Sequence, residues 1–533
     1  MKILIADTLP VSTLNVLKLE GWTVDARPKL SLEELKTALA DTDALIVRSS
    51  TKVTAELIAS APRLRVIARA GSGVDNIDLN TATERGILVV NAPGVNSVSV
   101  AEHTLALMLA LSRSIPLADA QMKDGRWEKK SLQGSELRSK TLGILGLGRI
   151  GREVARRAMA FEMKIVAHDP FIAKNVADDM GIELMPVETL CKCADYISLH
   201  LPSTTETRSL LNKELLSRCK SNVRIINTAR GDLIDYKALS EGIRSGKIAG
   251  AGLDVFQVEP PIDTELTKLP QVIATPHIAA STVEAQEMVG IETAIVVKDF
   301  LSSGIVRNAV NFPSVAPEDF RRLKPYITLA ENLGSLLSQL TKERIKSIGI
   351  RYYGELAGAN QEMLIGAVLV GLFRTVLSSA VTLVNARSIA EQRGLEIIES
   401  HSSRPRNFTG LISVKLYTNQ GERWAEGAVF EPNEPRLVLL DGVEVEAPLD
   451  GSLIVIQNTD QPGVIGEVGT ILGRHKVNIA TFALGRGDNG AVGVVKIESE
   501  KDIKQTSSSS LPNSLLKEIG NIPAVLSVGL VKL

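Results

Sequence analysis

The stretch Lys140-Thr-Leu-Gly-Ile-Leu-Gly-Leu-Gly-Arg-Ile-Gly-Arg-Glu-Val-Ala155 leaves this chain few ways to fold. An apolar run, Leu142 to Leu145, reads as a buried strand. It passes into Gly146-x-Gly148-x-x-Gly151, then into a helical pattern from Arg149 to Ala160. The three glycines serve a tight turn, close backbone approach to a pyrophosphate, and close packing of helix on strand. The free N–H groups and positive dipole end at the helix start suit a doubly charged anion. A second strand, Lys164 to His168, ends at Asp169, about 20 residues past the glycines, where a carboxylate can accept from the adenosine ribose hydroxyls. Strand, turn, helix, strand and acid in this order predict a dinucleotide site. The acid favours NAD over NADP, because it would repel a ribose phosphate and no arginine follows in Asp169-Pro-Phe-Ile.

A chain of 533 residues that is 44% hydrophobic predicts several packed domains. Its formal net charge of -1 supplies no global basic field, so neither nucleic acid nor a membrane surface is expected as a partner. Cys191, Cys193 and Cys219 give no disulfide framework, and Cys191-Lys-Cys193 lacks the second ligand pair of a structural zinc site. No metal is expected. An acid at Asp7 interrupts the first apolar run, which argues against a signal peptide. The longest apolar run, Met363 to Phe373, is too short to span a bilayer. The expectation is a soluble, cytoplasmic protein.

Residues 1–96 alternate short apolar runs with helical patterns, which predicts a parallel, flavodoxin-like sheet without a nucleotide fingerprint. Ser31 and Glu34 are spaced as a capping box. One long helix is expected from Ser97 to about Lys123, bridging two domains or lining a subunit interface. The dinucleotide unit then continues the alternation to Thr275, and a helix from Thr282 to Leu301 carries the chain back. The expected domains are therefore 1–96 with 283–310 for substrate, 97–282 for NAD, 315–450 as an α+β insert, and 452–533. Pro313, Pro317 and Pro325 mark the boundary after the second. The last segment reads βαββαβ, a ferredoxin-like order, with Gln505-Thr-Ser-Ser-Ser-Ser510 as a polar loop.

Three groups recur at strand ends of the second domain, where doubly wound sheets place ligands. Arg230, in Asn227-Thr-Ala-Arg-Gly231, offers a planar fork for a carboxylate. Glu259 stands in Val258-Glu-Pro-Pro261, and His277 in Thr275-Pro-His-Ile-Ala-Ala-Ser281. A histidine paired with a carboxylate makes a general acid/base, because the carboxylate stabilises the charged ring and fixes its orientation. Each residue alone has an ordinary structural reading; together, behind a nucleotide fingerprint, they fit oxidation of a 2-hydroxy acid. His103, His168, His200, His401 and His475 read as structural, with His200 placed where it can line the cofactor pocket.

Gly146 to Gly151, Asn227 to Gly231, Gly252-Leu-Asp-Val-Phe256 with Glu259-Pro, and Pro276-His277 resemble the D-isomer-specific 2-hydroxyacid dehydrogenases. The resemblance extends over essentially the whole chain to long members with an intervening domain and a C-terminal ACT domain, a small amino-acid-binding module. It implies NAD-dependent oxidation of 3-phospho-D-glycerate to 3-phosphohydroxypyruvate, the first step of L-serine biosynthesis. It implies that His277 is the acid/base, Glu259 its partner and Arg230 the substrate anchor. Cofactor contacts are implied at Gly146, Gly148, Arg149, Ile150, Gly151, Asp169, Ser72, Thr228, Asp254 and Ala280. Substrate contacts are implied at Arg48, Ser49, Arg69, Gly71, Ser72, Gly73, Val74 and Asn91, with Lys129 reaching a neighbouring subunit. Asp460 and Asn478 match positions that hold serine in regulated members, and a homo-oligomer is implied. The alternatives are a glycerate or hydroxypyruvate reductase, another D-2-hydroxyacid dehydrogenase, or an NAD-sensing interaction protein on the same fold.

Overall fold

Four sheets follow one another along the chain in the computed structural model, which describes residues 1–261, 265–358, 360–377, 380–404, 406–488, 490–498 and 513–533. Gln505 to Ser510 lie outside the described residues. In the first sheet, helical crossovers force parallel pairing, since only antiparallel neighbours can share a tight turn. β1 (Lys2–Ile5), β2 (Thr23–Ala26), β3 (Ala44–Val47), β4 (Val66–Arg69) and β5 (Leu88–Asn91) stand in the order β2-β1-β3-β4-β5, the expected flavodoxin-like arrangement. The capping box holds: Ser31 N donates to Glu34 Oε2 at 2.8 Å and Glu34 N to Ser31 Oγ at 3.4 Å. The helix Val283–Ser303 returns from the second sheet and buries Ala294, Val297 and Leu301 against Ile3 and Ile5.

The second sheet holds β6 (Thr141–Leu145), β7 (Lys164–His168), β8 (Glu183–Leu184), β9 (Tyr196–Leu199), β10 (Val223–Asn227), β11 (Ile248–Leu253) and β12 (Val272–Ala274). Their order is β12-β11-β10-β9-β6-β7-β8, all parallel. The winding reverses beside β6, so the glycine turn that follows β6 sits at the switch point where such sheets bind ligands. The single helix expected from Ser97 to Lys123 is instead two, Ser97–Arg113 and Ile115–Lys123. Ser114 between them takes φ 49. Pro116 explains the break: its ring clashes with the preceding turn and it lacks an N–H, whereas the first turn of a new helix tolerates both. The chain crosses between these two lobes twice, and Ser99 Oγ and Thr282 Oγ1 lie 2.8 Å apart where the crossings meet.

β13 (Ile345–Gly354), β14 (Glu396–Ser402), β15 (Gly410–Thr418), β16 (Gly421–Phe430), β17 (Glu434–Leu440) and β18 (Val443–Pro448) form a mixed sheet in the order β14-β13-β15-β16-β17-β18. The helices Pro317–Leu340 and Gln361–Arg374 pack on it. Pro325, read from sequence as a boundary, lies inside the first of these helices, which continues because Leu323, Leu329, Ala330 and Leu333 bury on one side of it. The fourth sheet, β19 (Ser452–Asn458), β20 (Ile479–Gly487), β21 (Gly490–Ile497) and β22 (Val525–Lys532), has the ferredoxin-like order β20-β21-β19-β22. Two helices, Val464–Arg474 and Asn513–Gly520, cover one face. On the other face Leu453, Val455, Val492, Val494 and Val531 enter the same core as Leu336 and Leu337 of the third unit. Among the described residues no helix is long and apolar enough to cross a membrane.

Candidate active site

Gly146 has φ 96, a left-handed value that glycine adopts without strain. A Cβ there would lie 2.6 Å from the His200 carbonyl oxygen, and one on Gly151 would collide with the Gly146 carbonyl. Among the described residues a Cβ on Gly148 would meet nothing within 4 Å, so the space over the start of the helix Arg149–Ala160 is open. A closed turn beneath and open space above fit a pyrophosphate. Asp169 stands at the end of β7 and accepts from Leu147 N at 2.8 Å and Phe171 N at 2.9 Å, which ties it to the glycine turn. Thr228, after β10, meets Thr104 Oγ1 at 2.9 Å.

Across the lobes lies a cleft of about 1120 Å³ lined by Arg48, Ser49, Arg69, Ser72, Arg230, Glu259 and His277, with Gly71, Gly73, Ile150, His200, Thr228 and Ala280 around them. His277, at φ 55, places Nδ1 2.7 Å from Glu259 Oε2. The other carboxylate oxygen of Glu259 accepts from Phe256 N at 3.0 Å, which fixes the acid in place. The loop carrying His277 hangs on Asp254, whose side chain is wholly buried. Asp254 accepts from Ile278 N at 2.9 Å, Ala279 N at 2.8 Å and Thr275 Oγ1 at 2.5 Å. Burial works to raise the Asp254 pKa, but hydrogen bonds from His103, Thr275 and the two amides outweigh it, so the carboxyl sits below its ordinary value.

Three guanidiniums converge on the other side. Arg69 ends β4, and Arg230 follows β10 with Nη2 3.1 Å from exposed Asp75 of the first lobe. Gly73 allows this approach, since a Cβ there would collide with Arg230 Nη2. Burial pushes the Arg69 pKa down, and the positive charges of Arg230 and Arg48 push it further. Its Nε is buried and has no hydrogen-bond partner among the described residues. Asp7 positions the turn from Arg48 to Thr51, accepting from Arg48 N at 2.5 Å, Ser50 Oγ at 3.0 Å and Thr51 Oγ1 at 2.9 Å. Mutually repelling cations with an orphaned donor form a site for a multiply charged anion.

A family model described as D-isomer specific 2-hydroxyacid dehydrogenase, NAD binding domain, matches residues 105–279. A model of the D-3-phosphoglycerate dehydrogenase intervening domain matches residues 322–441, and an ACT domain model matches 452–507. D-3-phosphoglycerate dehydrogenase of Archaeoglobus fulgidus is 43% identical over 93% of this chain and 94% of its own. That of Methanocaldococcus jannaschii is 41% identical over 100% of both. This chain belongs to the D-3-phosphoglycerate dehydrogenase family.

This family member also matches the structure of D-lactate dehydrogenase from Aquifex aeolicus, complexed with NAD and lactic acid. The match is 32% identical with a TM-score of 0.52, over 58% of this chain and 100% of that one. The remaining sequence-based site residues make the following contacts in the structure. The Arg149 side chain hydrogen-bonds the Pro93 carbonyl, an approach that Gly94 allows, since a Cβ there would collide with it. Asn91 donates to the Ser72 carbonyl at 2.6 Å, holding the loop that lines the cleft. Val74 accepts from Ile77 N at 3.0 Å in a turn beside the cleft. Lys129 is exposed in a short 3-10 turn outside the residues that line the cleft. In the ACT domain Asp460 pairs with Arg486 at 3.2 Å, and Asn478 is exposed. Sequence reasoning missed His103, whose Nε2 lies 3.0 Å from Thr275 Oγ1 and 3.5 Å from Asp254. It also missed Asp7. An acid just past a strand end, Asp7 after β1 and Asp254 after β11, was the sequence signal for these networks.

Proposed function

We propose that this enzyme oxidises 3-phospho-D-glycerate to 3-phosphohydroxypyruvate with NAD, as the first step of L-serine biosynthesis. The observation that carries this reading is the pairing of Arg69 and Arg230 from opposite lobes, with Arg48 behind them. A substrate with one carboxylate needs one fork, whereas a phosphate ester of such an acid needs more cations. NAD held by the glycine turn and Asp169 would supply the acceptor for the hydride that leaves the substrate carbon. Arg230 holds the substrate carboxylate and polarises the forming carbonyl. Arg69 and Arg48 hold the phosphate. Glu259 occupies Nδ1 of His277, so Nε2 takes the hydroxyl proton as the C–H bond is lost. The cofactor side rests on Gly146, Gly148, Gly151, Asp169, Thr228 and Ala280, with Asp254 holding the His277 loop.

Purified protein should reduce NAD with 3-phosphoglycerate and do so far more slowly with D-glycerate or D-lactate. Equal rates, or reduction of hydroxypyruvate in preference, would move the reading to a glycerate or hydroxypyruvate reductase. The ACT domain is read as the seat of feedback by L-serine, with Asp460 taking the ammonium group and Asn478 the hydroxyl. Serine inhibition that disappears in Asp460→Asn tests that assignment. We place the protein in the cytoplasm as a homo-oligomer, a state that sedimentation analysis checks directly.

A further inference from the structure

A second crevice of about 780 Å³ opens on the far side of the first sheet, between it and the intervening domain. Its walls are Phe300, Phe312, Phe320, Ile327 and Leu383, and all but Phe320 are only half-buried. Its rim is basic. The Arg65 guanidinium stands over the Phe300 ring, 5.7 Å from the centroid, and Lys324 is exposed beside it. Among the described residues neither is paired with a carboxylate, whereas Arg63 on the same rim is held by Asp43 at 3.1 Å. Glu84 is the one acid among the lining residues described.

The two units are fastened to each other at this place. Thr382 Oγ1 donates to the Gly86 carbonyl at 3.0 Å, and buried Asn385 donates through Nδ2 to the Glu84 carbonyl at 3.1 Å. β4 and β5 start at the crevice, and their far ends carry Arg69 and Asn91 toward the substrate cleft. Whatever fills the crevice therefore bears on two strands that position substrate-binding groups.

We propose that this crevice is an allosteric site for a small aryl carboxylate, with the ring among the phenylalanines and the carboxylate on Arg65 and Lys324. The volume lies in the roughly 300–1,000 Å³ range of ligand pockets, and the lining combines apolar walls with few polar groups, as such sites do. A ring removes the half-exposed aromatic walls from water, and a carboxylate gains charge-assisted hydrogen bonds from two free cations. The substrate itself has no apolar body and would leave those walls wet. Because coupling between sites is reciprocal, a ligand here that changes substrate affinity must itself bind differently when substrate is present. That regulatory half rests on the proposed activity; the binding half does not.

The test is calorimetric titration of the full-length protein, saturated with NAD, using 1-naphthylacetate and its neutral analogue 1-naphthaleneethanol. One carboxylate per chain is expected to bind, more weakly as salt rises, with the alcohol binding at least about tenfold less tightly, the scale of one lost charge-assisted hydrogen bond. Arg65→Gln with Lys324→Gln should weaken the carboxylate by about tenfold or more and leave kcat without ligand unchanged. The ligand should shift KM for 3-phosphoglycerate in the wild type and not in the double variant. Equal binding of acid and alcohol, wild-type affinity in the double variant, or no binding at millimolar concentration would each overturn the site. If the double variant unfolds, Lys324→Gln alone, an exposed change on a helix, must still weaken binding. Loss of NAD-linked turnover with binding intact would instead strike the proposed activity.

Discussion

Glu259 takes one nitrogen of His277, which leaves Nε2 as the ring atom able to receive a proton from the substrate. His277→Gln should lower kcat by about 10²–10⁴-fold while NAD affinity, read by fluorescence titration, stays unchanged. Asp75 competes for Arg230 in the absence of substrate, but it is exposed, and such pairs contribute about 0.2–1 kcal/mol. Asp75→Asn should therefore lower KM for 3-phosphoglycerate by no more than about fivefold, which steady-state kinetics resolves. His200 shows the opposite situation, a histidine kept uncharged. Burial pushes its pKa down to about 3, and its Nδ1 has no partner among the described residues. Unfolding lets the ring bind a proton that the fold excludes, so the unfolded state carries more protons between about pH 6.5 and about pH 3. His200 therefore costs nothing above that window and destabilises progressively as pH falls through it. His200→Gln should flatten this part of the profile, seen by comparing urea midpoints at about pH 7 and about pH 5.

At the scale of elements, the glycine turn leaves no freedom for a side chain at its third position. Gly151→Val drives a Cβ into the Gly146 carbonyl and should abolish measurable NAD binding while the first, third and fourth sheets keep their far-ultraviolet signal. The parallel sheets were legible because their strands are short apolar runs bounded by helices, and the helix Arg149–Ala160 begins at the residue expected from the fingerprint. The His277 pairing with Glu259 was also legible, since both follow strands of one sheet. Features set by distant partners were not. Pro325 reads as a stop in isolation, yet its helix continues because neighbouring turns bury leucines. His103 belongs to a helix pattern with no local mark of the Asp254 carboxylate it meets far along the chain. Arg149 opens the helix at the expected place, but the hydrogen bond of its side chain to the Pro93 carbonyl has no local mark in the sequence.

Over the whole molecule, the ACT domain is not an appendage on a flexible tether. One face of its sheet is part of the core of the intervening domain, and Gly485 of β20 lies so close to β18 that a Cβ would collide with the Glu444 carbonyl. Gly485→Val should lower the thermal midpoint of the C-terminal half by a few degrees, with the dinucleotide lobe unaffected; two calorimetric transitions moving apart would show it. The two lobes around the cleft are joined differently. Their covalent connection is a pair of adjacent crossings stitched by Ser99 and Thr282. Two pins side by side define an axis, so one lobe can swing relative to the other as a door does while sliding or twisting is resisted. A swing about that axis would bring Arg69 and His277 back to one separation at every closing, so the spacing between the proposed gripping group and the proposed proton acceptor would be set by the hinge rather than by the substrate.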